Sequence, residues 1–162
     1  MPYKKIMFIL LMKRLKLFLV LTLLVSSSVI WADEITIADG TGRTDYVPIW
    51  GDYADNVQHT QSIYPASMLE DLPVGCTITK LTYYLSESTK ENLTSTFVFK
   101  LGETSSESFA SAAFDNSTTT VVFTGNVVTT SSPVVIEFDE PYIYNGGNLL
   151  IDESNVSAGN WK

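Results

Sequence analysis

Phe97-Val98-Phe99-Lys100-Leu101 is the stretch that decides the fold. Large apolar residues occupy every second position, with Val98 and Lys100 between them. An extended strand sends successive side chains to opposite faces, so this period of two places Phe97, Phe99 and Leu101 on one buried face. Val134, Ile136 and Phe138 repeat the pattern against Val135 and Glu137, and Val121 and Phe123 extend it. Short runs of this kind, rich in Val, Ile, Thr, Phe and Tyr and separated by Gly, Asn, Ser and Pro, predict an all-β antiparallel sandwich or a barrel, of which we expect the sandwich.

The longest strand candidate is Thr77 to Leu85. Ile78 belongs to one face, while Leu81, Tyr83 and Leu85 belong to the other. A one-residue bulge near Thr79 and Lys80 would bring all four inward. Glu34 to Ala38 reads as a first strand with Ile35 and Ile37 on one face, and Asp39-Gly40-Thr41-Gly42 breaks it. Tyr46 to Trp50 carries Pro48 and reads as an edge or loop. Gln61 to Tyr64 is another short strand, and Pro65 to Leu69 a single helical turn. Tyr142 and Tyr144 share a face and lead into the turn Asn145-Gly146-Gly147-Asn148, after which Leu149 to Asp152 starts a further strand. Glu103 to Asn116 is a polar, ordered surface loop with apolar anchors at Phe109 and Phe114.

The N-terminal stretch from Met12 to Ala32 has a different character. Lys13, Arg14 and Lys16 precede an apolar run from Leu17 to Val25, and Ser26 to Ser28 and Ala32 offer small residues for cleavage. That is the layout of a secretory signal peptide, with translation starting at Met1, Met7 or Met12, of which Met12 gives the tidiest signal. A spanning helix needs about 20 apolar residues, and this run falls short. The expected organisation is therefore a signal at residues 1–32 and a β-sandwich domain at residues 33–162. The expected location is secreted or outer cell surface, with no membrane insertion after cleavage. No cysteine stands at the cleavage region to take a lipid.

Removing the signal changes the charge. The whole chain has a net charge of −8, but Lys4, Lys5, Lys13, Arg14 and Lys16 all lie before Asp33 and every acidic residue lies at or after it. Five basic residues against eighteen acidic ones leave −13 on residues 33–162. Such a surface repels nucleic-acid phosphates and anionic membranes. Cys76 is the single cysteine, so no intrachain disulfide staples the domain and a packed core must hold it. Beside Gly75, Cys76 reads as a small core residue rather than a nucleophile.

Catalytic chemistry finds little support. His59 is the single histidine and reads as an exposed loop residue; no GxSxG elbow presents a serine beside it. One histidine and one cysteine cannot build a structural zinc site. Glu137, Asp139 and Glu140 cluster, as do Asp152 and Glu153, but acids at strand ends are ordinarily solvated and nothing separates an acid from a base. We therefore expect no enzyme. Calcium is the one cofactor the loops could hold: Asp39, Asp45, Asp52 and Asp55 lie among Gly40, Gly42 and Gly51. Trp50, Tyr53 and Tyr64 could offer flat faces to a sugar or complete the core. The candidate ligand-binding set is Trp50, Asp52, Tyr53 and Asp55. Asn92, Asn116 and Asn155 head Asn-X-Ser/Thr triplets and are expected to be exposed.

Several blocks together carry a resemblance. They are residues 35–42 (ITIADGTG) with 46–51 (YVPIWG), residues 61–69 (QSIYPASML) with 75–81 (GCTITKL), and residues 141–151 (PYIYNGGNLLI). With Phe97 to Gly102 and Val121 to Gly125 between them, the chain resembles the N-terminal β-sandwich module of large secreted surface proteins associated with type IX secretion. In style it is similar to the jelly-roll adhesin modules of gingipain-type proteins. The resemblance implies a longer parent protein, with further strands, fibronectin-like repeats and a sorting domain after Lys162, so that residues 33–162 would lack closing strands. It implies a non-catalytic adhesion module for a host or matrix protein or a glycan. A structural spacer, or a carbohydrate-binding accessory domain of an exported enzyme, is the alternative.

Overall fold

Six strands follow one another in the computed structural model, which describes residues 34–37, 42, 57–88 and 93–159. They are β1 (His59–Tyr64), β2 (Thr77–Tyr83), β3 (Thr96–Thr104), β4 (Thr119–Gly125), β5 (Val134–Ile143) and β6 (Asn148–Ser157). One antiparallel sheet runs β1-β6-β3-β4, and β2 and β5 form a second antiparallel pair. Both sheets contribute to one core, so the fold is all-β and sandwich-like, with open sheets. The chain divides into two compact units, Met1–Glu34 and Ile35–Lys162, and the strands belong to the second.

The alternating residues do what their spacing requires. Phe97, Phe99 and Leu101 of β3 are fully buried, beside Leu149 and Ile151 of β6 and Val134 and Ile136 of β5. Each such side chain contributes about 1.5–3 kcal/mol by leaving water. Ile78, Leu81, Tyr83 and Leu85 all pack against this cluster, and the register breaks between Ile78 and Lys80. The irregularity is where the mixed phase of the β2 sequence demands it, but the extra residues are on β5. Tyr142 faces Ile78 and Glu137 faces Lys80, so Phe138 to Pro141 stand opposite Thr79 alone. Pro141, which has no N–H to offer a ladder, falls inside that interruption.

The β4 expectation needs correction. Phe123 packs inward against Phe99, with ring centroids 6.0 Å apart, but Val121 is exposed and Val122 is buried. Phe123 pairs with Phe99 and Val121 with Lys100, so Val122 is a bulged residue that turns its side chain into the core. Further on, Val156 is the extra residue opposite Thr96–Phe97, and it is exposed.

Ile35 and Ile37 pack against the core as expected, but no strand forms at residues 34–37. Pro65 precedes a 3-10 turn at Ala66–Met68. Cys76 is half-buried against the core, and its backbone bonds to Pro73 and Tyr144. Tyr64 also packs on the core rather than offering a sugar platform. The turn after β5 places Gly146 at φ +98°, a conformation that favours glycine. Glu103, at the far end of β3, fastens that turn. Its Oε1 accepts from Tyr142 Oη, Asn145 N and Asn145 Nδ2, and its Oε2 accepts from Gly147 N at 2.6 Å. Among the described residues, no helix is long and apolar enough to cross a membrane.

Candidate functional site

β6 is an inner strand of its four-stranded sheet, flanked by β1 and β3, and it carries two consecutive acids near its centre. Asp152 and Glu153 are both buried, at 5% and 1% exposure, so the expectation of solvated strand-end acids is overturned. The period of two sends them to opposite faces. Glu153 shares the core face with Leu149 and Ile151, and Asp152 looks out of the sandwich with Leu150.

Asp152 gathers the outer face. Its cross-strand partners are Gln61 on β1 and Lys100 on β3, and His59 stands two pairs further along, opposite Ser154. Gln61 Nε2 donates to Asp152 Oδ2 at 2.7 Å, Lys100 Nζ donates to Oδ1 at 3.2 Å, and His59 Nε2 lies 2.8 Å from Oδ2. Burial works to raise the Asp152 pKa, but the bonds from His59, Gln61 and Lys100 outweigh it and hold the carboxyl below its ordinary value. His59 is thus no loop residue. It opens β1, with its imidazole paired to Asp152 and stacked on the Phe114 ring at 4.0 Å.

That stack ties the β3–β4 connection to the sheet. Asp115 N donates to Gln61 Oε1 at 2.7 Å, and Gln61 Nε2 donates to Asp115 O at 3.1 Å, so one amide side chain mimics a rung of β-ladder. The Asp115 carboxylate accepts from Thr104 Oγ1 and Ser117 N, bonds that hold its pKa below the usual range. At the end of this segment Thr118 O approaches Gly102 so closely that a Cβ there would collide with it. Of the two anchors expected, Phe114 holds the connection through its stack on His59, yet neither ring is buried. Phe109 and Phe114 are 39% and 48% exposed and flank an open hollow of about 210 Å³, lined also by Gln61, Ser111, Ala112 and Ala113.

On the core face, Glu153 Oε2 accepts from Thr60 Oγ1 at 2.8 Å and from Gln58 Nε2 at 3.0 Å. Burial pushes its pKa up to about 8 against those bonds, and the Asp152 charge adds to the rise. The Tyr83 hydroxyl is buried without a hydrogen-bond partner. Burial raises its pKa well above 10, and Tyr64 and Glu153 raise it further.

Trp50, Asp52, Tyr53 and Asp55, with the calcium candidates Asp39 and Asp45, lie outside the described residues, as do the signal segment and Asn92. Among the described residues, no group of three or more His, Cys, Asp or Glu side chains comes together to hold a metal ion. Asn116 is exposed as expected, whereas Asn155 is buried and its Nδ2 donates to Ser95 Oγ. Comparison with protein-family models, with curated proteins and with solved structures returned no match.

Proposed function

We propose that residues 33–162 form a non-catalytic binding module of an exported protein, and that the hollow between Phe109 and Phe114 is its contact surface. The observation that carries this reading is the exposure of two phenylalanines on a segment pinned to β1 by Gln61 and Asp115. Large apolar side chains in a loop held rigid by a sheet serve recognition better than stability. The acids and the histidine nearby are engaged with one another through short internal bonds, which supports binding rather than turnover. The signal-like segment from Met12 to Ala32 and the resemblance to type IX secretion-associated surface modules support a secreted or cell-surface setting. In that setting the ligand is a host or matrix protein or a glycan.

Glycan and peptide arrays probed with residues 33–162 test the reading. Binding that survives in the wild type and is lost in a Phe109→Ala/Phe114→Ala variant with an unchanged circular dichroism spectrum supports it. Equal binding by both proteins overturns the assignment of the surface.

A further inference from the structure

We infer that the hollow between Phe109 and Phe114 takes an arginine or lysine side chain from a basic peptide segment, a specificity that rests on the binding-module reading. Three features of the hollow point to that chemistry. First, its two aromatic residues are exposed, and Phe114 uses one ring face on His59. An aromatic face attracts a cation and also packs on the apolar stem of Lys or Arg.

Second, the polar side chains of the lining are already in use. Gln61 bonds through both ends of its amide to Asp115 and gives a further bond to Asp152, and Ser111 Oγ accepts from Ala113 N. A sugar needs several free donors and acceptors around an aromatic face to fix its hydroxyls. This lining offers apolar surface with few such groups.

Third, the charge around the hollow has one sign. Residues 104–116 contain Glu107 and Asp115 and no Lys or Arg. Glu107 is exposed two positions before Phe109. Lys100 on β3 is held at 3.2 Å by Asp152. The wider field of residues 33–162, at −13, draws a basic partner and repels an acidic one.

Fluorescence anisotropy with short labelled peptides tests the specificity. The probes are an Arg- and Lys-bearing peptide, the same peptide with Gln at those positions, the same with Glu, and labelled neutral oligosaccharides. The basic peptide should bind about tenfold more tightly than its Gln counterpart, and salt should weaken it. Glu107→Lys and Phe114→Leu should each reduce that affinity about threefold or more while thermal unfolding stays unchanged. Oligosaccharide or Gln-peptide binding that matches the basic peptide and falls in Phe114→Leu would retain the binding module and overturn the cationic specificity. Basic-peptide binding indifferent to both substitutions would overturn the site. Absence of binding to every probe would overturn the specificity and the binding-module reading together.

Discussion

Asp152 and Glu153 are neighbours on β6, stand on opposite faces of the sheet and are displaced in opposite directions from ordinary carboxyl behaviour. Asp152 meets three donors at the outer face and favours its charged form. Glu153 meets two donors inside the core, where loss of water dominates, and favours its protonated form. One peptide unit thus separates a group that stabilises the fold when ionised from one that does so when neutral.

For Glu153 the folded pKa of about 8 lies above the ordinary value of 4.5. Below 4.5 both folded and unfolded chains hold the proton; above it the unfolded chain releases its proton first. Stability therefore falls as pH rises from about 4.5 to about 8, by on the order of 4 kcal/mol. Urea unfolding between pH 5 and 9 should show this fall in the wild type and lose it in Glu153→Gln. Parallel slopes in the two proteins would contradict the assignment.

Asp152 gives the reverse sign. Its folded pKa is lowered, so its contribution is complete above the ordinary value of 3.8 and disappears as pH falls through the folded value. Asp152→Asn should cost about 1–3 kcal/mol at pH 7 and progressively less in acid. Chemical denaturation at pH 7 and pH 3 measures the difference.

Glu103 accepts four bonds from the β5–β6 turn and its flanks. Glu103→Ala should destabilise the domain by about 1–2 kcal/mol and speed amide exchange at Asn145 and Gly147. Ligand binding at the Phe109–Phe114 hollow should be unaffected, since the turn supplies none of its lining.

Phe114→Ala should do the opposite. The ring is 48% exposed and touches His59 at the surface, so the melting temperature should move by the equivalent of less than about 1 kcal/mol. Binding should nevertheless fall, and the two readouts together separate a contact residue from a packing residue.

Much of the sandwich was legible because its core strands obey a strict alternation. Phe97, Phe99, Leu101, Val134 and Ile136 are buried where the period of two puts them, and the broken phase of Ile78 against Leu81 announces a bulge. Val122 was not legible, because a bulge in β4 leaves no local trace when Val121, Val122 and Phe123 are all apolar. Pattern reading also missed the acids of β6. Their burial depends on strands β1 and β3 that pair with them from 91 or 52 residues away, through Gln61 and Lys100. A hint was present: Leu149-Leu150-Ile151 runs directly into Asp152-Glu153 with no turn residue between them. Phe109 and Phe114 misled in the other direction. Apolar residues in a polar loop suggest buried anchors, yet this loop is held by the polar contacts of Asp115, Gln61 and Thr104 and by the Phe114 stack on His59, and both rings stay partly exposed.

The most direct test of the binding surface is a two-dimensional amide NMR titration of isotope-labelled residues 33–162 with the basic peptide. The account predicts shifts concentrated at residues 107–115 and at the Gln61 side-chain amide. Shifts concentrated instead at Trp50, Asp52, Tyr53 and Asp55, with the Gln61 amide unmoved, would contradict it.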